Sequence, residues 1–286
     1  MKELKSNSNK FKISILMGIY NCADTLGDAI DSIIEQTYSN WELIMCDDGS
    51  SDRTFDVAKK YQEKIPEKII LLKNDKNYGL NKTLNYCLKY ATGELIARQD
   101  GDDISEKERF EKQVNFLKEH PQYKIVSTAM SYFDENGIWS VQKNINLMPK
   151  AEDLVKDSPI NHAPVMMWKE CMDAVQGYSE DEKFMRVEDV NLWFKLYEKG
   201  YRCYNLNEPL YRMRNDKNAF ARRKYKYRIN STRTRLLGGK ALNVSWGVRI
   251  YAFMPMVIGL IPGKIRQKIR KKANRKKDKV NGRNIR

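Results

Sequence analysis

Three stretches of the chain gather carboxylates at spacings that suit metal and phosphate chemistry. Asp100-Gly101-Asp102 sets two side chains at i and i+2, which project to the same side of extended backbone. Hard oxygen donors so placed suit Mg²⁺ or Mn²⁺ that also binds a diphosphate. Asp47-Asp48 closes an apolar run, and Glu188-Asp189 opens the pattern Asp-x-x-Leu-Trp-x-x-Leu. Carboxylates also serve helices without any chemistry: Asp103 is expected to cap the helix after it, and a helix dipole alone favours Glu188 and Asp189 in a first turn. His162, in Asn161-His162-Ala163-Pro164-Val165, either lines an acceptor site or is a structural histidine. Arg212 and Arg214 either close over a diphosphate, whose oxygens guanidinium matches bidentately, or belong to a basic surface. No Gly-x-Gly-x-x-Gly follows the first apolar run and no Gly-Lys-Ser/Thr loop occurs, which weakens the dinucleotide and P-loop readings.

The elements that must position these residues alternate from the start. Strands are expected at Lys12–Ile19, Trp41–Cys46, Lys68–Leu72 and Glu94–Arg98. Helices are expected from an Asp24 cap to Gln36, over Arg53–Glu63 after the loop Asp47–Asp52, and over Asn77–Tyr90. This alternation means a largely parallel α/β sheet with helices on both faces. Ligands of such sheets sit beyond the carboxyl ends of the strands. Tyr20-Asn21, Asp47-Asp48 and Asp100–Asp103 all fall there, and carboxylates converging at one edge require a cation or a hydrogen-bonding ligand among them. A helix is then expected over Ser105–Glu119. Ile125–Phe133 and Ile138–Lys143 flank Asn136-Gly137, a hairpin signal for antiparallel additions. A further helix is expected over Val187–Lys199.

Charge divides the chain. Residues 1–211 hold 28 Lys/Arg against 35 Asp/Glu, whereas residues 212–286 hold 24 against 2, so a mildly acidic body carries a basic end. We read residues 1–211 as the catalytic domain, with halves meeting near residue 103, and residues 212–286 as a basic helical extension. Val244–Gly263 is apolar but interrupted by Arg249, Pro255 and Pro262, so it reads as a segment lying in a membrane interface rather than crossing it. Lys264–Arg286 adds 12 Lys/Arg against Asp278 alone, and the pair forms a two-part anchor for anionic lipid. Nucleic acid is not the expected partner, because no aromatic residue interleaves with those charges. Ile13–Tyr20 is short for a signal sequence and lacks a cleavage site, so it reads as a buried strand. Five scattered cysteines without a CxxC pair point to a reducing compartment.

Taken together and in order, the motifs resemble family 2 glycosyltransferases of the GT-A fold. They are Ile15–Asn21, Gln36–Ile44, Asp47–Asp52, Asn77-Tyr78-Gly79-Leu80-Asn81-Lys82, Arg98–Asp103 and Glu188-Asp189, and the resemblance covers about residues 12–205. It implies roles. Asp48 accepts from the uracil N–H, Tyr20 stacks on the base with Asn21 beside it, and Lys82 meets nucleotide or phosphate. Asp100 reaches ribose and metal, Asp102 binds Mn²⁺ or Mg²⁺, and Asp189 is the general base of an inverting transfer, with Glu188, His162 and Arg212 as further acceptor or diphosphate contacts. The implied donor is a UDP-sugar, and the acceptor a saccharide hydroxyl, lipid-linked given the tail. The implied location is peripheral, on the cytoplasmic face of the cell membrane. A nucleotidyltransferase and a non-catalytic sugar-binding protein are the alternatives.

Overall fold

The computed structural model describes residues 11–143, 145–214 and 225–260. Four parallel strands form its first half: β1 (Ile13–Ile19), β2 (Trp41–Asp47), β3 (Ile69–Lys73) and β4 (Leu95–Arg98). Strands β1, β2 and β4 carry near-continuous apolar runs because both faces are covered. One face packs Ile13, Ile15 and Met17 against α1 (Ala23–Ile34) and α4 (Arg109–Glu119); the other packs Leu16, Ile44 and Ile96 toward α3 (Leu80–Leu88) and α7 (Glu188–Glu198). The helix α2 (Thr54–Lys64) completes the alternation, its first N–H bonded to Asp52 Oδ1 at 2.9 Å.

The second half adds β5 (Ile104–Ser105), β6 (Ile125–Asp134), β7 (Gly137–Val141), β8 (Met166–Trp168) and β9 (Cys203–Arg214), with short helices α5 (Ala151–Lys156) and α6 (Lys169–Ala174). The sheet order is β3-β2-β1-β4-β8-β6-β9-β5, with β7 paired to β6 in the expected hairpin. Strand β8 is antiparallel to both β4 and β6, so β6 and its parallel partner β9 run in the same direction as β1, β2 and β4. Every one of these five therefore ends on the same edge.

Several boundaries differ from expectation. Ser105 belongs to β5, because Ile104 and Ser105 pair with Arg212 and Tyr211 of β9, and α4 starts only at Arg109. Asp103 consequently caps no helix; its carboxylate accepts from Arg214 N at 2.7 Å. Asp24 lies in the first turn of α1 and makes no side-chain cap. Strand β9 runs through the expected boundary at 211/212, so the sheet extends to Arg214.

After residues 215–224, which lie outside the described part, α8 (Tyr225–Ala241) packs on α7 and α5. Gly238 touches the Phe194 ring so closely that an added Cβ would stand 2.1 Å from it. Arg235 donates to Leu154 O, Val155 O and Asp157 O at the end of α5 and to Ser158 Oγ. The apolar segment breaks into α9 (Trp246–Arg249), a 3₁₀ turn over Ile250–Phe253 and α10 (Met254–Leu260). No helix among the described residues is long and apolar enough to cross a membrane. The polybasic run Lys264–Arg286 lies outside the described residues.

Candidate active site

Beyond the shared strand edge lies a cleft of about 690 Å³, the size of a ligand pocket for a drug-sized molecule. Tyr20, Asn21, Asp48, Tyr78, Gly79, Asp100, Asp102, Arg186, Glu188 and Arg214 are among its lining residues. Loops after β1, β2 and β4 and the first turn of α7 thus converge as their positions at strand ends require.

One end of the cleft is built around Asp48. Its Oδ1 accepts from Asn74 Nδ2 at 2.8 Å and Tyr78 N at 2.9 Å, and its Oδ2 from Gly79 N at 2.9 Å. A carboxylate offers about four acceptor positions, so one remains, on Oδ2. Tyr20 and Tyr78 are both exposed in the cleft, at 48% and 40%. Asn21 adopts a left-handed φ of 48° and ties two loops together: its N donates to Ser50 Oγ at 3.0 Å, and its Oδ1 accepts from Ser51 N at 2.9 Å. Lys82 is exposed beside Tyr78, 6.0 Å from that ring, and is not among the cleft-lining residues.

At the centre, Asp100 forms a two-pronged ion pair with Arg98: Nη2 to Oδ1 at 2.6 Å and Nη1 to Oδ2 at 3.1 Å. Burial opposes the Arg98 charge, but Asp100 overrides it and raises the guanidinium pKa. Arg98 Nε has no protein partner among the described residues. The loop after Asp100 is held from β9: Asp100 N donates to Tyr211 Oη at 3.1 Å, and Arg214 Nε donates to Asp102 O at 3.1 Å. Beneath it, Arg109 is fully buried and donates to Arg98 O, Gln99 Oε1 and Ser105 Oγ. Burial lowers its pKa to about 10.

On the far side, Glu188 lines the cleft while Asp189 sits half-buried in the same helical turn, its Oδ1 accepting from Val190 N at 2.8 Å. Burial raises both carboxyl pKa values, most directly at Asp189, against the pull of the Val190 N–H and the Arg98 charge. His162 is set behind this turn. Its Nε2 lies 3.0 Å from Tyr178 Oη and its ring meets Trp193 edge-on, while burial and then Arg98 push its pKa well down. It is not among the residues lining the cleft. Arg212 is a correction: Glu106 holds its guanidinium at 2.6 and 2.9 Å beside a separate acidic groove, and Arg214, two residues on, faces the cleft.

The carboxylates that the cleft offers to a metal are Asp100 and Asp102, both hard oxygen donors. No group of three or more metal-binding side chains gathers among the described residues. Two carboxylates alone suit an ion that completes its shell with substrate phosphates and water, so the residues fit a shared Mg²⁺ or Mn²⁺.

Sequence reasoning gave no role to Arg98 and Tyr78, though both stand in its motifs, and did not single out Arg186. A signal for Arg98 was present: an arginine ending the buried run Leu95-Ile96-Ala97 needs a counter-charge, and Asp100 stands at i+2.

The model of glycosyl transferase family 2 matches residues 14–172. EpsE of Bacillus subtilis (strain 168), named as a glycosyltransferase, is 40% identical over 89% of this chain and 91% of its own length. The Escherichia coli UDP-Glc:alpha-D-GlcNAc-diphosphoundecaprenol beta-1,3-glucosyltransferase WfaP is 28% identical over 68% of this chain and 74% of its own. The fold is matched by S. aureus TarS 1–349 in complex with UDP, with TM-score 0.65 and 18% identity over 86% of this chain and 69% of that one. The chain belongs to glycosyltransferase family 2 and has the GT-A fold.

Proposed function

We propose that the protein transfers a sugar, with inversion, from a UDP-sugar to a hydroxyl of a lipid-linked saccharide during assembly of a cell-surface polysaccharide. One observation carries this reading: a single cleft brings together Asp48, the pair Asp100/Asp102, and the Glu188–Asp189 turn. Asp48 has one free acceptor position. Uracil presents one ring N–H, whereas guanine presents two adjacent donors and would need both carboxylate oxygens free, so the uridine reading is favoured. Tyr20 and Tyr78 offer ring faces to the base. Asp100 and Asp102 would hold Mn²⁺ or Mg²⁺, which, when bound, neutralises charge on the departing diphosphate. Arg186 and Arg214 add positive charge at the cleft wall. Asp189 takes the proton of the acceptor hydroxyl as that oxygen attacks the anomeric carbon from the side opposite the diphosphate. The lipid-linked acceptor is supported by the relative named for a diphosphoundecaprenol substrate and by the apolar C-terminal surface.

A thermal-unfolding series against UDP, GDP, TDP and CDP, with and without Mn²⁺, tests the donor. UDP at 100 times its Kd adds about 2.7 kcal/mol. At about 2–4 °C per kcal/mol, Tm rises by roughly 5–10 °C, and the metal-dependent part vanishes in Asp102→Asn. Stabilisation by GDP but not UDP, or by no diphosphate, overturns the reading.

The same proposal places the protein peripherally on the cytoplasmic face of the membrane. Trp246, Ile250, Tyr251, Val257 and Leu260 are all more than half exposed on α9, the 3₁₀ turn and α10. Trp246 and Tyr251 are types that settle at headgroup depth, and the aliphatic side chains add apolar area ahead of the polybasic run in the sequence. The protein is expected to co-sediment with vesicles rich in anionic lipid and to lose that binding in Trp246→Ser/Tyr251→Ser/Leu260→Ser. Equal binding by that triple variant, or none by the intact chain, counts against it.

A further inference from the structure

We propose that the hairpin of β6 and β7 carries a subsite for the acceptor saccharide, with the stacked pair Tyr132–Trp139 as its platform. This rests on the glycosyltransferase reading and adds where the acceptor's sugar chain lies.

The two rings are 5.5 Å apart at their centroids and 26° from parallel, a stacked arrangement. Trp139 is nevertheless 44% exposed, so with one face on Tyr132 its other face meets solvent. An indole face left in water on an edge hairpin has no part in the core. Tyr132 is held in place from its other end. Gln142 Nε2 donates to Tyr132 Oη at 3.0 Å, and Gln142 Oε1 accepts from Asn161 Nδ2 at 2.7 Å and from Met130 N at 3.0 Å. Asn161 Nδ2 donates in turn to Thr128 O at 2.7 Å. The platform is therefore fixed before any ligand arrives, which lowers the ordering cost of binding.

Its position relative to the cleft identifies the ligand. Tyr132 and Met213 pack on a small cluster of Met130, Ala163 and Tyr211. Tyr211 bonds Asp100 N through its hydroxyl, Ala163 follows His162, and Met213 precedes the cleft-lining Arg214. Across the sheet the sequence is β2, β1, β4, β8, β6, so the base pocket around Asp48 stands on one side of Asp100 and the hairpin on the other. From β4 to β6 is two strand spacings, about 10 Å, and because Ala97 and Val126 both pair with Met166, Tyr132 stands roughly another 10 Å further along than Asp100, a separation that a short oligosaccharide spans. Because β6 runs in the direction of β4, Tyr132 near its end projects past the same edge as Asp100. The hairpin contributes no residue to the cleft lining, so the platform stands beyond the reaction centre, on the side away from Asp48.

The chemistry fits a pyranose. One face of the sugar ring is a patch of C–H bonds, which packs on an aromatic face, while its hydroxyls point outward to a polar rim. Trp139 supplies the face, and Glu135, Asn136 and Lys143 are exposed polar groups at the turn and end of the same hairpin. The acidic Glu135 disfavours an anionic lipid surface at this point. The remaining exposed apolar residues of the hairpin, Ile138 and Val141, make a small patch on which a second copy of the chain is the competing occupant.

Saturation-transfer NMR with a panel of soluble disaccharides of glucose, galactose and N-acetylglucosamine, in the presence of UDP and Mn²⁺, tests the proposal. At least one disaccharide is expected to show contact with the protein, with its affinity reduced about tenfold in Trp139→Ala and largely kept in Trp139→Phe. UDP-dependent stabilisation is expected to be equal in all three proteins, which shows that the fold and donor site are intact. Disaccharide binding undiminished in Trp139→Ala overturns the subsite, as does no binding by the unaltered protein while UDP still stabilises it. A dimer that dissociates on Trp139→Ala assigns the patch to self-association instead. Loss of the UDP effect in the unaltered protein is a failure of the donor reading, visible apart from the hairpin.

Discussion

Asp189→Asn is expected to lower kcat by roughly 10²- to 10⁴-fold while leaving UDP affinity and metal-dependent stabilisation unchanged. The substitution keeps the shape of the side chain and its bond to Val190 N, and it removes only the ability to accept a proton. Burial raises the Asp189 pKa, so in the folded protein this group binds its proton at higher pH than it does unfolded. Two consequences have opposite signs. As pH falls through the raised pKa, the base is protonated and kcat/KM falls, so the acid limb of the rate profile lies above the range of an ordinary aspartate. Over the same interval the folded state binds more protons than the unfolded, so this group's contribution to stability improves as pH falls and is lost as pH rises. The amide is neutral at every pH; Asp189→Asn should therefore unfold at a temperature no lower than the parent near pH 7. Turnover within threefold of the parent would rule out Asp189 as the base, and Glu188, which lines the cleft in the same turn, would be the next candidate.

Arg235→Met is expected to destabilise the protein by about 3 kcal/mol, because several carbonyls at the end of α5 lose their donor together. That corresponds to a Tm lower by roughly 6–12 °C. The guanidinium is buried, which lowers its pKa, and the charges of Asp157 and Asp189 partly offset that cost. Methionine fills much of the same volume, so the loss reflects polar groups left unpaired and not a cavity. A Tm within about 2 °C of the parent would mean that apolar packing alone holds α8 in place. The expected result would make α8 part of the catalytic body, as the Gly238–Phe194 contact already implies.

The first half of the fold was legible because its strands are parallel and buried on both sides, leaving apolar runs such as Ile13–Ile19 and Trp41–Cys46 bounded by polar loops. Asp48, Asp100 and Asp102 could be placed at one edge for the related reason that they follow those strands directly, whereas Glu188 and Asp189 open α7 and stood out only through the family resemblance. Strand β9 was not, because Asn207-Glu208-Pro209 interrupts it. The ladder absorbs the interruption by shifting register, so that Thr128 pairs with Leu206 and Ala129 already with Pro209. Ser105 was misassigned because local helical pattern lost to pairing with a strand more than 100 residues away. The partners of Asp48 were equally out of reach: Asn74, Tyr78 and Gly79 meet it only once the loop after β3 folds back. Arg212 and Arg214 share a residue type and a strand, and only their tertiary partners, Glu106 and the Asp102–Asp103 loop, tell them apart.

The hold of β9 on that loop also sets an order of events during synthesis. Asp100, Asp102 and Asp103 leave the ribosome early, but the groups that fix them, Tyr211 Oη and the backbone and guanidinium of Arg214, are 111 or 112 residues further along the chain. The nascent chain can form its four parallel strands and the cleft wall around Asp48 long before it can hold the carboxylate loop still. Competence for the diphosphate thus arises late, when β9 is laid beside β6. A chain stalled before residue 203 would carry both carboxylates proposed to hold the metal and still lack the strand that fixes their loop.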